Sequence, residues 1–190
     1  MDGRLVVISG ASGAGKTSVA YRVLEDARFE RAVTATTRAP RPGERDGVDY
    51  HFIAEAEFRA RWAAQGFLAP AQVYGDLYGT PRENVERIRA SGRHCLLVID
   101  VQGVEDLKTQ DVEGLYVFVD APSFEELERR LRGRGKDAAD RIEARLAAAR
   151  AELEKKDLFE RVLVNDDVER AARELAAWVG VDDLVSKGRA

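Results

Sequence analysis

Eight residues near the N-terminus, Gly10-Ala11-Ser12-Gly13-Ala14-Gly15-Lys16-Thr17, carry the most specific chemical signal in the chain. They satisfy GxxxxGK(S/T), with an apolar run before them at Leu5 to Ile8 and a helical pattern after them at Val19, Val23 and Ala27. Glycines let a backbone wrap closely around an anion, so loop N–H groups and the positive end of the next helix can face phosphate oxygens. Lys16 would then reach the β and γ groups of ATP, and the Thr17 hydroxyl would ligate Mg²⁺. All eight residues are candidate ATP contacts. A loop of this kind serves kinases, switch GTPases, motors and helicases alike. No guanine-reading NKxD segment occurs, whereas Arg38 and Arg41 in one segment and Arg134 and Arg145 in another suit two phosphorylated ligands. A kinase using Mg-ATP is the reading these residues support.

The elements that must hold this loop are visible as hydrophobic periodicity. Short unbroken apolar runs at Leu5 to Ile8, Cys95 to Ile99, Leu115 to Val119 and Val162 to Val164 read as strands buried on both faces of a parallel sheet. Between them lie helical spacings: Phe124, Leu127 and Leu131; Ile142, Leu146, Ala149 and Leu153; Val168, Ala171, Ala172, Leu175 and Val179. Ser123 and Glu126 form a capping-box signature. Strand and helix in alternation predict a three-layer α/β fold of the P-loop NTPase kind with a central parallel sheet and right-handed crossovers. That core is expected over 1–33, 81–131 and 157–185. Residues 34–80 break the rhythm, with strand-like pieces at Asp49 to Ile53 and Phe67 to Tyr74, and read as an inserted acceptor-binding lobe. The Gly- and Arg-rich stretch Arg132 to Asp140 reads as a short lid joining two helices, so 132–156 forms the lid and its following helix. Residues 186–190 read as a frayed tail.

Composition narrows the partners. At 190 residues and 45% hydrophobic content the chain can bury one real core. A net charge of -4 argues against nucleic acid and anionic membrane as partners, and no apolar stretch reaches the roughly 18 residues of a membrane span. One cysteine, Cys95, excludes an internal disulfide and suits a reduced, cytoplasmic compartment. A monomer or small homo-oligomer is compatible with all of this.

The segment from Thr34 to Phe52, TATTRAPRPGERDGVDYHF, closely resembles the signature of guanylate kinases. Further matches follow in family order: Tyr78-Gly79-Thr80, Ile99-Asp100-Val101-Gln102-Gly103, the run Arg129 to Gly135, Arg145-Leu146 and Val164-Asn165-Asp166-Asp167. They extend over nearly the whole chain. The resemblance implies transfer of the γ-phosphate of ATP to GMP or dGMP, with Mg²⁺, in purine nucleotide metabolism. It implies that Arg38, Arg41, Tyr50 and Tyr78 hold the acceptor's phosphate, that Thr34, Thr80 and Asp100 lie around its base, and that Gly79 is a further GMP-binding residue. Arg134 and Arg145 correspond to arginines that reach the transferring phosphate, and Asn165 to a residue at the adenine edge. Lys16, Arg38, Arg134 and Arg145 would be the catalytic set, with Thr17, and Asp100 through water, on the Mg²⁺.

Other readings stand beside these. Arg38 and Arg41 can pair with Glu44 and Asp46, Tyr50 and Tyr78 can be core aromatics, and Asp100 can be a helix cap. In Phe67-Leu68-Ala69-Pro70-Ala71-Gln72, the family pattern places Glu at the position held by Ala69. Guanine's N1–H and N2–H would then be met by Asp100, Thr34, Gln72 or water, or a different phosphorylated acceptor would be used. A non-catalytic interaction module of the same fold is the third reading, against which the intact Lys16, Thr17, Arg134 and Arg145 speak.

Overall fold

The computed structural model of the protein describes residues 2–73, 75–133 and 139–185. The central strand, β1 (Leu5–Gly10), is buried along its whole length. It lies in a five-stranded sheet with β2 (Phe29–Arg31), β7 (His94–Val98), β8 (Leu115–Asp120) and β9 (Arg161–Val164) in the order β2-β7-β1-β8-β9, every pairing parallel. Strand alternation divides β1 between two cores. Val6 and Ile8 face α1 (Lys16–Val23), α5 (Phe124–Gly133), α6 (Ala139–Leu153) and α7 (Val168–Ala177) through Val19, Leu127, Leu131, Leu146, Ala149 and Leu175. Leu5 and Val7 face α3 (Arg82–Ala90) and α4 (Val101–Thr109) through Val85, Ile88, Val104 and Leu107. Helices on both faces of a parallel sheet make the three layers.

β9 departs from the expectation of burial on both faces. It is the sheet edge, and of its residues only Leu163 is buried, with Val162 and Val164 exposed. An edge strand loses cover on its open side, so an apolar run there reports β propensity rather than burial. Sequence periodicity also passed over α2 (Glu55–Ala63), α3 and α4, which bury narrow stripes such as Phe58 alone or Val85 and Ile88. Both ends of the stretch read as a lid are helical. Helix α5 continues through Gly133 and α6 starts at Ala139, with Arg132 paired to Glu128 on its own helix and to Glu143 on α6. Residues 134–138, and the tail 186–190, lie outside the described residues.

A second sheet is built from β3 (Ala35–Thr36), β4 (His51–Phe52), β5 (Phe67–Val73) and β6 (Asp76–Pro81) in the order β4-β3-β6-β5. The strand at Asp49 to Ile53 is therefore only two residues long, preceded by an isolated bridge between Asp46 and Tyr50. Ala35, Phe58, Phe67 and Leu77 form this sheet's own small core, with the Phe58 and Phe67 rings stacked at 4.3 Å. Leu68 and Ala69 of β5 reach the α3/α4 core, so the small sheet is seated on the large one through α4. Among the described residues no helix is long and apolar enough to cross a membrane.

The turn from α1 into β2 is tied down by Asp26, a buried carboxylate. It accepts the Arg28 N–H at 2.9 Å, the Arg28 guanidinium at 2.9 and 2.7 Å, and the Val185 N–H at 3.0 Å. Arg28, followed by these backbone donors, holds the Asp26 carboxyl well below the usual carboxylate range. Because the folded value is depressed, its stabilisation is complete above the ordinary aspartate pKa and is lost as the pH falls through the folded value. Asp26→Asn should therefore lower stability at pH 7 by about 1–3 kcal/mol. In urea unfolding, the gap between variant and wild type should narrow as the pH drops below about 4.

Candidate nucleotide site

The glycine-rich loop leaves β1 at Gly10 and enters α1 at Lys16. Two of its glycines are demanded by what lies against them. Gly10 has φ +138°, and a Cβ there would run into the Val119 carbonyl of β8. Gly15 has φ +91°, and a Cβ there would overlap the Asn165 side-chain amide. Ala11 and Ala14 are fully buried and anchor the loop to the core. Asn165 lies just beyond β9 and is itself buried; its Nδ2 donates to the Ala14 carbonyl at 2.8 Å, and its own N–H to Asp120 at 2.8 Å. Arg130 completes the support from α5, donating to the carbonyls of Asn165 at 3.0 Å and Ala14 at 3.4 Å while Glu126 holds its Nε at 2.7 Å. Asn165 thus sits beneath the loop as a brace. Arg130 and Glu126 are functional supports that sequence reading did not assign, although their i, i+4 spacing on α5 was legible.

Lys16 donates its ammonium to the carbonyls of Gly10 at 2.6 Å and Ala11 at 3.1 Å, curling over its own loop. Thr17 is exposed at the start of α1. It opens onto a cleft of about 320 Å³ that is lined by Tyr21 on the same helix and, opposite, by Glu44, Asp49 and Tyr50 of the lobe.

On the lobe side, Arg38 and Glu44 form a two-toothed ion pair, with both N–H···O distances 2.9 Å and the side chains 13% and 20% exposed. The pairing that the sequence allowed between these residues is therefore present. Arg38 also donates to the Ala39 carbonyl at 2.7 Å, and its guanidinium lies 5.3 Å from the centre of the Tyr50 ring. Glu44 takes in addition the Arg41 N–H at 2.7 Å, whereas the Arg41 residue is exposed. Glu44, with the Tyr78 hydroxyl behind it, raises the Arg38 pKa above the usual guanidinium range. Arg38 and then the Arg41 N–H push the Glu44 carboxyl down to about 2. Tyr50 and Tyr78 meet edge to face at 6.1 Å. A guanidinium has five N–H donors, so the Glu44 pairing orients Arg38 and still leaves donors for a second anion.

A cavity of about 350 Å³ continues from this point, lined by Thr34, Tyr78, Gly79, Thr80, Asp100 and Ala69 among others. The Thr34 and Thr80 hydroxyls are 3.5 Å apart. Asp100 is the N-cap of α4, its Oδ1 accepting the Gly103 N–H at 2.7 Å, so the helix-capping role that the sequence allowed is present. Ala69 occupies a bulge where the β5–β6 register shifts, with φ +43°, and presents only a methyl group. Gln72 is exposed and donates to the Gly75 carbonyl at 3.2 Å on its own hairpin. Arg145 is half-buried on α6. Arg134 lies outside the described residues.

A glycine-rich loop running from the central strand of a parallel sheet into a helix, with a second sheet across a cleft, defines an α/β P-loop nucleotide-binding protein. The family model described as guanylate kinase matches residues 2–180. A guanylate kinase from Thermus thermophilus is 46% identical over 177 residues, spanning 93% of this chain and 80% of its own. One from Dechloromonas aromatica is 43% identical over 185 residues, spanning 97% and 92%. The crystal structure of guanylate kinase from Anaplasma phagocytophilum superposes with a TM-score of 0.72 at 30% identity, covering 98% of this chain and 91% of that one. The chain belongs to the guanylate kinase family.

Since Gly15 combines a positive φ with contact against Asn165, Gly15→Ala should strain the loop and displace its brace. Calorimetric titration should show ATP affinity reduced about tenfold or more, the equivalent of at least ~1.4 kcal/mol. Affinity equal to wild type would mean that Asn165 yields without cost.

Proposed function

We propose that the chain phosphorylates GMP with ATP, and that the residues of its two facing sheets divide the work between donor and acceptor. The observation that carries this division is the shared cleft, lined at once by Thr17 and Tyr21 of α1 and by Glu44, Asp49 and Tyr50 of the lobe. An oxygen of the GMP phosphate attacks the γ-phosphorus of ATP, the bond to the β–γ bridging oxygen breaks, and ADP and GDP leave. Such transfer is governed by positioning and charge neutralisation.

Gly10 to Thr17 cradle the donor's phosphates, and Lys16 exchanges the Gly10 and Ala11 carbonyls for phosphate oxygens. Arg38, Arg41, Tyr50 and Tyr78 receive the acceptor's phosphate, with Glu44 holding Arg38 in place. Arg145, together with Arg134, neutralises the transferring phosphoryl group. Thr34, Gly79, Thr80 and Asp100 line the base pocket. The Thr17 hydroxyl and the Asp100 carboxylate are hard oxygen donors of the kind Mg²⁺ takes, Thr17 directly and Asp100 through water. Bound with ATP, Mg²⁺ would neutralise charge on the β- and γ-phosphates. A cytoplasmic setting goes with this reading, and the buried Cys95, its thiol pushed up to about 12 by burial, is kept unreactive.

With a methyl at Ala69, guanine's N1–H and N2–H are met by Asp100, the Thr34 and Thr80 hydroxyls, and water. Hydroxyls both donate and accept, so they discriminate bases less sharply than a carboxylate does. ADP release should be measured with GMP, dGMP, IMP, AMP and UMP as acceptors. GMP should be the best substrate, and Ala69→Glu should raise its kcat/KM and widen the margin over IMP. No turnover of GMP would overturn the reading; an unchanged kcat/KM in Ala69→Glu would place the base away from β5.

A further inference from the structure

One amide of the phosphate loop is held by a side chain from far along the chain. The Ser12 N–H donates to Glu152 Oε2 at 2.9 Å, a contact spanning 140 residues of sequence. Glu152 lies in the last turn of α6, half-buried. An N–H to carboxylate bond is charge-assisted and shorter and stronger than a neutral one. It fastens α6 to the loop that Asn165 and Arg130 also brace.

Helix geometry gives that fastening a consequence. Arg145 precedes Glu152 by seven residues, close to two helical turns, so the two side chains leave α6 along the same stripe. Both are half-buried, flanking the row Leu146 and Ala149 that packs on the core. Further contacts of α6 and its C-terminal continuation include the exposed ion pairs Arg132 to Glu143 and Lys155 to Glu105, and Arg150 lying over the Phe124 ring at 4.2 Å. Exposed pairs contribute little geometric restraint. The Ser12–Glu152 bond ties α6 directly to the loop backbone and so bears on the rotation and axial position of the helix against it.

We propose that Glu152 is a positioning residue for phosphoryl transfer: by binding the Ser12 amide it sets the face of α6 that carries Arg145 against the phosphate loop. The proposal rests on the assignment of Arg145 to the transferring phosphate. A displacement of about 1 Å in such a group can lower the rate by about 10²-fold without changing ground-state binding.

The test compares steady-state kinetics of wild type, Glu152→Ala, Glu152→Gln, Arg145→Ala and the double variant Glu152→Ala/Arg145→Ala, with ATP and GMP. Glu152→Ala should lower kcat about 10- to 100-fold with the KM for GMP within about twofold. Glu152→Gln keeps a carbonyl oxygen able to accept the Ser12 N–H and should recover most of kcat. The double variant should be no slower than Arg145→Ala, because the two residues act through one group. Full kcat in Glu152→Ala, no recovery in Glu152→Gln, or multiplicative losses in the double variant would each overturn the proposal. Should Glu152→Ala fail to fold, Glu152→Asp, shorter by one methylene, carries the same test and should show the same selective loss in kcat. If Arg145→Ala turns over at the wild-type rate, the positioning role falls while GMP phosphorylation by the wild type still stands.

Discussion

The hydrogen bond from the Asn165 amide to the Ala14 carbonyl anchors the structure on which the rest of the site depends. A loop that binds phosphate through its own backbone must hold its N–H groups convergent without a ligand present, and convergent dipoles repel one another. Here the loop's carbonyl side is drawn inward by Asn165 and Arg130, and its ends are pinned by close approach of Gly10 to β8 and of Gly15 to Asn165. The support comes from β8, α5 and the segment after β9, all on one side of β1. The parallel sheet brings these C-terminal strand ends together, which is where open α/β sheets place their ligands.

Electrostatics are arranged in the same preorganised way on the lobe side of the cleft. Glu44 orients Arg38 with both carboxylate oxygens, Arg38 lies against the Tyr50 ring, and Glu44 is in turn held by the Arg41 N–H. A fork fixed in this manner loses little entropy when an anion arrives. Lys16 is different: it rests on the loop's own carbonyls, and in the proposed function it exchanges them for phosphate oxygens. The two halves therefore stand in contrasting states of readiness, one with its cation already aimed and one with its cation folded back.

The small sheet, proposed above to receive the acceptor, is joined to the core through α4. Leu68 and Ala69 of β5 pack into the α3/α4 core, and Asp100 caps α4 beside them. The cavity lined by Ala69 and Asp100 and the start of α4 are thus parts of one packed unit. Ala69 sits at a bulge in an unusual backbone conformation, so its short side chain and its direction are set together by the shift in β5–β6 register.

The phosphate loop, the buried parallel strands near it and the α5, α6 and α7 stripes were legible in the sequence because each is a local pattern of spacing within a few turns or strand residues. The signature from Thr34 to Phe52 likewise sufficed to indicate the family. Sequence periodicity misjudged β9 as doubly covered and passed over α2 to α4, because burial depends on which neighbour lies above a segment and short stripes leave little period to detect. Whether Arg38 pairs with Glu44, that Asn165 lies beneath the loop, and that Glu152 reaches Ser12 were decided by tertiary structure alone. The last two contacts join residues 151 and 140 positions apart, and only the stacking of β9 and α6 beside β1 brings those side chains within hydrogen-bonding distance.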